Sequence, residues 1–230
     1  VRVRAGEITE IAPEALLLHL NAFHHGITVG LSCVGGDLRE FASAQDRGKK
    51  VTEVADELHC AILALRACAI PVVSVVHGTA AGGGIGMALA ADVVLAASEA
   101  KLRLAYTAGG LTPDCGSTWV LARRLGSARA LDLALTNRIL TGFEAAQWGL
   151  VSRAVPAAEL AAESEHVIES LRSGPVGAFA ETKRLIDAAQ HRSLVEQLHD
   201  ESDTIGWQIG TREAIEGVTA FFEKRPANFD

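Results

Sequence analysis

Apolar and polar positions along the chain predict strands that alternate with helices, followed by a tail of helices. Short apolar runs without helical spacing predict buried strands over residues 26–32, 71–76 and 93–98. Between the first two runs, apolar residues three or four positions apart predict a helix over about residues 49–69. The apolar face of this helix consists of Val51, Val54, Leu58, Ile62 and Leu65. The alternation predicts an α/β fold with a parallel or mixed sheet.

Other segments carry signals for element boundaries. Residues 1–8 alternate as a strand does, residues 12–23 predict a helix, and residues 102–126 predict a loop and a helix that ends at Gly126. Thr141 and Glu144 form the capping box of a further helix, and residues 150–155 predict a strand. After Pro156 the pattern is helical, with a break at residues 173–175. We therefore divide the chain into a core, residues 1–173, and a C-terminal helical region, residues 174–230.

Composition places the chain among globular proteins with a substantial core. Of 230 residues, 49% are hydrophobic and 21% are charged. The net charge of −7 argues against a general role in binding nucleic acid. The sequence offers neither an apolar run long enough to span a membrane nor an apolar signal-peptide segment near its start. Four cysteines without a C-x-x-C pair predict reduced thiols rather than a zinc site, so we expect a cytoplasmic protein without metal, nucleic acid or membrane partners.

A cluster of glycines follows the strand predicted at residues 71–76: Gly82, Gly83, Gly84 and Gly86. The cluster lacks the Lys-Ser or Lys-Thr of a phosphate loop, and Met87 or Leu89 stands where G-x-G-x-x-G needs its last glycine. Two interpretations remain open. Bare backbone allows a helix to pack closely on a strand, and unpaired N–H groups at such a turn can bind an anion that forms during a reaction. Gly35 and Gly36, which also follow a strand, are candidates for a second donor.

Taken together, the two glycine stretches resemble the crotonase (enoyl-CoA hydratase/isomerase) superfamily. SCVGGDL at residues 32–38 resembles the family's F-C-A-G-G-D-L, and HGTAAGGG at residues 77–84 resembles N-G-x-A-x-G-G-G. The ending FFEKRPANF resembles the family's F-x-x-K-R-x-P-x-F. The resemblance implies a crotonase-like ββα spiral with a C-terminal helical trimerisation region, a homotrimer or dimer of trimers, and an acyl-CoA thioester as substrate. Coenzyme A is then part of the substrate, and no separate cofactor is expected.

The resemblance also implies roles for individual residues. The backbone N–H groups of Gly36 and Gly83 would form an oxyanion hole for the thioester oxygen. The expected contacts to coenzyme A are Val34, Arg39 and Lys224. Gly86 and Tyr106 stand where the family's hydratases carry their two glutamates, and we expect both to line the acyl pocket. Without these carboxylates, the addition of water to a double bond loses its acid and its base.

Asp114 is the candidate catalytic residue. Its segment, GLTPDCGSTW, resembles G-L-I-P-D-x-G-G-T-W in the phenylacetate-degradation branch of the family. That branch interconverts epoxyphenylacetyl-CoA and its oxepin isomer and also shifts enoyl-CoA double bonds. The resemblance implies an acyl-CoA isomerase in which Asp114 moves a proton between two carbons. The plainer interpretation of Asp114 is a helix N-cap. A hydratase with an atypical acid and base and a non-catalytic acyl-CoA-binding protein remain the alternatives.

Overall fold

The computed structural model of the chain describes residues 18–23, 26–33 and 35–229. Side chains are described for Cys33 and for residues 35–229. The strand predicted over residues 1–8, the first part of the helix predicted over residues 12–23, and Val34 lie outside the described residues.

Strands and helices alternate through the first two thirds of the chain, as the hydrophobic pattern predicts. The strands are β1 (Leu18–Phe23), β2 (Gly26–Cys33), β3 (Val72–Ala81), β4 (Val93–Ala97), β5 (Lys101–Arg103), β6 (Leu140–Thr141) and β7 (Arg153–Val155). The helices are α1 (Leu38–Ser43), α2 (Arg47–Arg66), α3 (Gly83–Leu89), α4 (Ser117–Thr136), α5 (Gly142–Gln147), α6 (Leu160–Arg172), α7 (Val176–Ala189), α8 (Leu194–Gln208) and α9 (Arg212–Glu223).

The sheet is mixed, which confirms the prediction. Its main path is β1-β2-β3-β4-β7, and β5 pairs with both β3 and β6. All the pairs are parallel except β1 with β2 and β5 with β6. The long strand β3 pairs with β4 in its first half and with β5 at Thr79 to Ala81. Its register with β2 shifts between Leu31 and Cys33, and Cys33 then pairs with Ala80. The carboxyl ends of β2 and β3 therefore lie side by side, each followed by a glycine stretch.

Two boundary predictions are wrong. Residues 18–23, predicted as part of a helix, form β1, because their backbone pairs antiparallel with β2 from Leu18 opposite Leu31 to Phe23 opposite Gly26. Gly126 does break the helical geometry, with φ of 74°, but α4 resumes beyond this kink and continues to Thr136. The capping box of Thr141 and Glu144 is confirmed at the start of α5.

The core lies between the sheet and the helices that cover it. Helix α3 packs on β2 and β3, and α6 packs on β2, β3 and β4. Because the central strands are covered, their side chains form continuous apolar runs. The largest fully buried apolar side chains are Leu89, Leu95, Leu102, Leu140, Leu150, Val72, Val73, Val76 and Val94.

The C-terminal region is helical, as predicted, and consists of α7, α8 and α9 after the break at residues 173–175. Large apolar side chains stand exposed along α8 and α9: Leu194, Val195, Leu198, Ile205, Trp207, Ile215, Phe221 and Phe222. Such an exposed apolar surface is consistent with the expected oligomer, and the oligomer stays a prediction. The domain boundary at residue 173 also stays a prediction. Across the part of the chain that the structure describes, every helix is too short or too polar to cross a membrane.

Candidate active site

The two glycine stretches meet at the carboxyl ends of β2 and β3. A Cβ atom on Gly35 would lie 3.4 Å from the backbone nitrogen of Gly83 and 3.5 Å from the carbonyl oxygen of Ala81. The stretches that sequence analysis linked by resemblance are therefore in direct contact.

The backbone N–H groups of Gly36 and Gly83 are available to a ligand. Gly35 N–H donates to Cys33 Sγ at 3.5 Å, and Gly82 N–H donates to the carbonyl oxygen of Arg103 at 3.2 Å. Among the hydrogen bonds of the described residues, none is donated by the N–H of Gly36 or of Gly83. Backbone N–H groups in a folded protein normally have an acceptor, so an unpaired pair at adjacent turns can bind an oxygen from outside the chain.

Close packing explains two other glycines of the cluster. A Cβ on Gly84 would lie 2.4 Å from the carbonyl oxygen of Cys33, and a Cβ on Gly86 would lie 2.1 Å from that of Cys115. Both distances are far inside van der Waals contact, so glycine is required for α3 to approach the end of β2 and the loop before α4. The packing interpretation thus holds for these two positions. A contact of Gly86 with an acyl group stays a prediction.

The Asp114 side chain does not cap α4. The N-cap of α4 is Gly116, and only the backbone carbonyl of Asp114 serves the helix start, by accepting from Ser117 N–H at 3.0 Å and Ser117 Oγ at 2.6 Å. The half-buried carboxylate of Asp114 points elsewhere. Its Oδ1 accepts a hydrogen bond from the Tyr106 hydroxyl and lies 3.8 Å from the position of a Cβ on Gly83. The carboxylate therefore faces the turn that carries the unpaired N–H of Gly83.

Tyr106 orients this carboxylate. The ring is half-buried against the core, and its hydroxyl donates to Asp114 Oδ1. Burial, and then the hydrogen bond and charge of Asp114, raise the pKa of Tyr106 well above its usual range. The phenol thus stays protonated and keeps donating. This hydrogen bond holds the Asp114 carboxylate where it faces the Gly83 turn.

His59 is a site residue that sequence analysis missed. It lies on α2, and its Nε2 accepts a hydrogen bond from Cys115 N–H at 3.1 Å. Ligand-type atoms of His59, Asp114 and Cys115 lie within 4.8 Å of one another. Burial, together with Asp114, raises the pKa of the Cys115 thiol. The apolar spacing of α2 locates its buried face but carries no information about which loop lies against that face.

Comparison with known proteins identifies the family. A family model described as enoyl-CoA hydratase/isomerase matches residues 26–230. The chain belongs to the enoyl-CoA hydratase/isomerase family. A probable enoyl-CoA hydratase of Rhodobacter capsulatus is 36% identical over 96% of this chain and 93% of the relative. A 1,2-epoxyphenylacetyl-CoA isomerase of Escherichia coli is 34% identical over 86% of this chain and 76% of the relative, which agrees with the branch that the Asp114 segment resembles.

Solved structures of this family share the fold. A crystal structure of an enoyl-CoA hydratase from a Polaromonas species superposes with a TM-score of 0.85 at 26% identity, covering 92% of this chain and 98% of the other. The crotonase-like fold expected from the sequence is therefore confirmed. The relatives' names include both hydratases and isomerases, so family membership leaves the choice of reaction to the site itself.

The structure describes two of the three residues expected to contact coenzyme A. Val34 is outside the described residues. Arg39 is exposed on α1, whose start is capped by the Asp37 carboxylate as it accepts from Arg39 N–H at 2.8 Å. Lys224 is exposed and ends α9 in a left-handed conformation, with φ of 54°. The structure fixes the backbone of Arg39 and Lys224, and their contacts with coenzyme A stay predictions.

The segment after Lys224 is anchored to α9 by Glu216. Its carboxylate accepts from Arg225 Nη1 at 2.7 Å, Arg225 Nη2 at 3.0 Å and Asn228 N–H at 2.8 Å. These contacts, Arg225 first, lower the pKa of Glu216 to about 2. The anchoring is therefore complete above the ordinary glutamate pKa and is lost as the pH falls from there towards 2.

The hydroxyl of Tyr106 is expected to resist ionisation in the folded protein. The chain has a single tyrosine, so phenolate absorbance reports this residue alone. In denaturant the phenolate should form near pH 10, whereas in the folded protein it should form only at a clearly higher pH. Since the unfolded chain loses this proton first, the free energy of unfolding should fall as the pH rises above about 10.

The Asp114→Asn variant is the control for this titration. Its Tyr106 should ionise at a lower pH than in the wild type, because the carboxylate charge is gone, but still above the pH for the denatured chain, because burial remains. Phenolate formation near pH 10 in the folded wild type would contradict the contact between Tyr106 and Asp114.

Proposed function

We propose that this protein is an acyl-CoA isomerase that shifts a double bond, or rearranges an epoxyphenylacetyl group, with Asp114 as its single proton carrier. One observation carries the proposal. The Asp114 carboxylate, held by Tyr106, faces the turn at which the N–H of Gly83 is unpaired. A proton acceptor and an oxyanion donor thus border the same space.

The first step of the proposed reaction forms an enolate. The thioester oxygen binds the N–H groups of Gly36 and Gly83, and the carboxylate of Asp114 removes a proton from the α-carbon. Negative charge then develops on the thioester oxygen, where each preorganised donor contributes about 3 kcal/mol to stabilising the transition state. Tyr106 keeps its own proton and holds Oδ1 throughout.

The second step returns the same proton at a different carbon. The Cα–H bond has broken, the double bond moves from the β,γ to the α,β position, and a new C–H bond forms at the γ-carbon. One carboxylate performs both transfers, so the reaction needs neither a bound water nor a second acid.

Hydration is the second candidate, because the Rhodobacter capsulatus relative is named a probable hydratase. The residues of the site give little support to hydration. Tyr106 and Gly86 stand at the two positions where family hydratases carry glutamates, and the Gly86 position has no room for a side chain. Asp114 alone would have to activate the water and also supply the proton for the adjacent carbon.

An ultraviolet assay tests the proposal. With a 3-enoyl-CoA, the isomerase should produce the conjugated 2-enoyl thioester and absorbance should rise. With a 2-enoyl-CoA, a hydratase would consume the conjugated thioester and absorbance would fall. Epoxyphenylacetyl-CoA, followed by chromatography, covers the ring substrate. Faster hydration than isomerisation would overturn the proposal, and binding of all three esters without turnover would favour the non-catalytic alternative.

The Glu216 anchor is expected to matter for binding coenzyme A and not for chemistry. Glu216→Gln should release the segment that follows Lys224 and raise KM for the CoA ester roughly three- to tenfold, with kcat unchanged. Glu223→Gln is the matched control, because Glu223 contacts Arg225 Nε at 2.6 Å and does not hold the Asn228 amide. A fall in kcat, or equal KM values for the two variants, would count against a role of this segment in binding.

A further inference from the structure

The half-buried imidazole of His59 has no task in the proposed reaction, although it lies beside Asp114. The side chain projects from α2, and its Nε2 accepts a hydrogen bond from the backbone N–H of Cys115 at 3.1 Å. Among the described residues, no hydrogen bond joins the imidazole to the Asp114 carboxylate. Because the lone pair of Nε2 is already engaged, this nitrogen holds the backbone and does not take a proton from a substrate.

We propose that His59 is a positioning residue, which fixes the Asp114 carboxylate through the peptide group that joins Asp114 to Cys115. The effect on catalysis rests on the proposed function, in which Asp114 carries the proton. The effect on the orientation of Asp114 is the same whichever reaction the protein catalyses.

This peptide group is hydrogen-bonded at both of its ends. Its carbonyl oxygen, which belongs to Asp114, accepts from Ser117 N–H at 3.0 Å and from Ser117 Oγ at 2.6 Å. Its N–H, which belongs to Cys115, donates to His59. Since a peptide group is planar, partners at both ends fix its orientation and with it the ψ angle of Asp114. The direction of the Asp114 side chain relative to the start of α4 depends on that angle.

The residues after this peptide group have a backbone conformation that needs support. Cys115 has φ of 52° and Gly116 has φ of 68°, so two successive residues are left-handed. Glycine adopts this conformation freely, whereas for cysteine it costs free energy and persists only where the surrounding structure holds it. Helix α3 packs against the Cys115 carbonyl at Gly86, and His59 holds the Cys115 N–H. Without an acceptor at position 59, this N–H loses its partner, and the strained turn can relax to another conformation.

Such a relaxation would move the carboxylate within the site. Asp114 Oδ1 now lies 3.8 Å from the position of a Cβ on Gly83, next to the unpaired N–H. A displacement of about 1 Å in a reacting group can lower a rate about 10²-fold, so a small rotation of the peptide group is enough to affect catalysis. The same rotation would weaken the hydrogen bond that the Tyr106 hydroxyl donates to Asp114. The position of the carboxylate can therefore be followed by turnover and, independently, by the ionisation of Tyr106.

Substitution of His59 tests the proposal by turnover. His59→Leu removes the acceptor, and its kcat with 3-enoyl-CoA should be roughly 10- to 100-fold lower than that of the wild type. The Kd for a non-reacting acyl-CoA should stay within about threefold of the wild-type value, because the variant leaves the N–H groups of Gly36 and Gly83 in place. His59→Gln, whose amide oxygen can take the place of Nε2, should restore kcat to within about threefold of the wild type.

The ionisation of Tyr106 tests the position of Asp114 without any assay of activity. In the folded His59→Leu variant the phenolate should form at a lower pH than in the wild type, because the contact with Asp114 that helps to raise the pKa of Tyr106 is weakened. It should still form at a higher pH than in the denatured chain, because burial remains. His59→Gln should titrate as the wild type does. If His59→Leu does not fold, His59→Asn replaces it in both experiments, because its shorter side chain is polar but cannot reach Cys115 N–H.

The matched control is His166→Leu. His166 is an exposed histidine on α6, and its replacement should leave both kcat and the titration of Tyr106 unchanged. An unchanged kcat together with an unchanged titration in His59→Leu would overturn the proposal. A loss of kcat in His59→Gln as large as that in His59→Leu would also overturn it, because the reaction would then need the imidazole itself.

Two further outcomes separate this proposal from others. A higher KM in His59→Leu with an unchanged kcat would overturn it by assigning His59 to the binding of substrate. A wild-type protein without isomerase activity would refute the proposed function, and the titration of Tyr106 would still decide whether His59 positions Asp114.

Discussion

Replacing Asp114 by asparagine is expected to lower the rate of double-bond isomerisation by about 10² to 10⁴-fold, the usual contribution of a positioned acid or base. The amide cannot accept the α-proton, but it has the size of the carboxylate and can still accept a hydrogen bond from Tyr106. The loss should fall on kcat, and the Kd for a non-reacting acyl-CoA should stay within about threefold of the wild-type value. The measurement is the conjugation assay with 3-enoyl-CoA, combined with calorimetric titration of the ester.

Asp132→Asn is the matched control for this variant. Asp132 is an exposed carboxylate on α4, the helix that begins three residues after Asp114, and its removal should leave the rate unchanged. Equal rates for wild type and Asp114→Asn would show that the carboxylate carries no proton. Weakened ester binding in Asp114→Asn with an unchanged kcat would assign it to the binding of substrate.

Sequence resemblance pointed to the candidate site, and the structure excludes one of the two interpretations of Asp114 that the sequence left open. Motif matching could assign Gly36, Gly83 and Asp114 to one site because each belongs to a short contiguous segment. The role of the Asp114 side chain could not be decided from the sequence, since a Pro-Asp dipeptide before a helix also fits an N-cap. The structure excludes the N-cap, because Gly116 takes that position and the Asp114 carboxylate accepts from Tyr106 instead.

The role of His59 in the site could not be predicted from the sequence. His59 contacts a residue 56 positions away, and this contact depends on how α2 lies over the loop before α4. Periodicity describes one helix at a time, so it predicts which side of α2 is buried but not what that side meets. A pairing of this kind follows only from the packed structure.

The fold could be predicted where the hydrophobic pattern extends over many residues, and it could not be predicted where the pairing of strands overrides the local preference. The strands at the centre of the sheet and helix α2 follow from runs of apolar residues. Residues 18–23 have the composition of a helix, yet they form β1 because a neighbouring strand, β2, supplies backbone partners along its whole length. Strands β5 and β6, of three and two residues, are too short to carry any periodic signal.

Gly86 is expected to be the position in α3 where even one methyl group is most damaging. Gly86→Ala would bring a Cβ to 2.1 Å from the carbonyl oxygen of Cys115, a backbone atom that cannot rotate away. We expect a loss of about 3 kcal/mol or more in the free energy of unfolding, at the upper end for overpacked sites. Urea denaturation followed by circular dichroism measures this loss as a lower midpoint.

Gly206→Ala provides the matched control, because Gly206 also lies inside a helix, α8, and a Cβ there meets nothing within 4 Å. That substitution should stabilise the protein by roughly 0.5–1 kcal/mol, since alanine restricts the unfolded chain and glycine does not. Similar effects of the two substitutions would mean that α3 does not pack against the loop of Cys115.

The close contact between Gly86 and the carbonyl oxygen of Cys115 also limits which substitutions could give this site hydratase activity. The most direct substitution, Gly86→Glu, would restore one glutamate of the hydratase pattern at a position with no space for its first carbon. We expect this variant to lose stability at least as much as Gly86→Ala and to gain no hydratase activity with 2-enoyl-CoA. A hydratase would first require the loop of Cys115 to move away from α3, and that loop also carries Asp114. The packing of α3 against the loop of Cys115 therefore both excludes a glutamate at position 86 and positions Asp114. A site with the hydratase glutamate and a site with Asp114 in its present position cannot both form on this backbone.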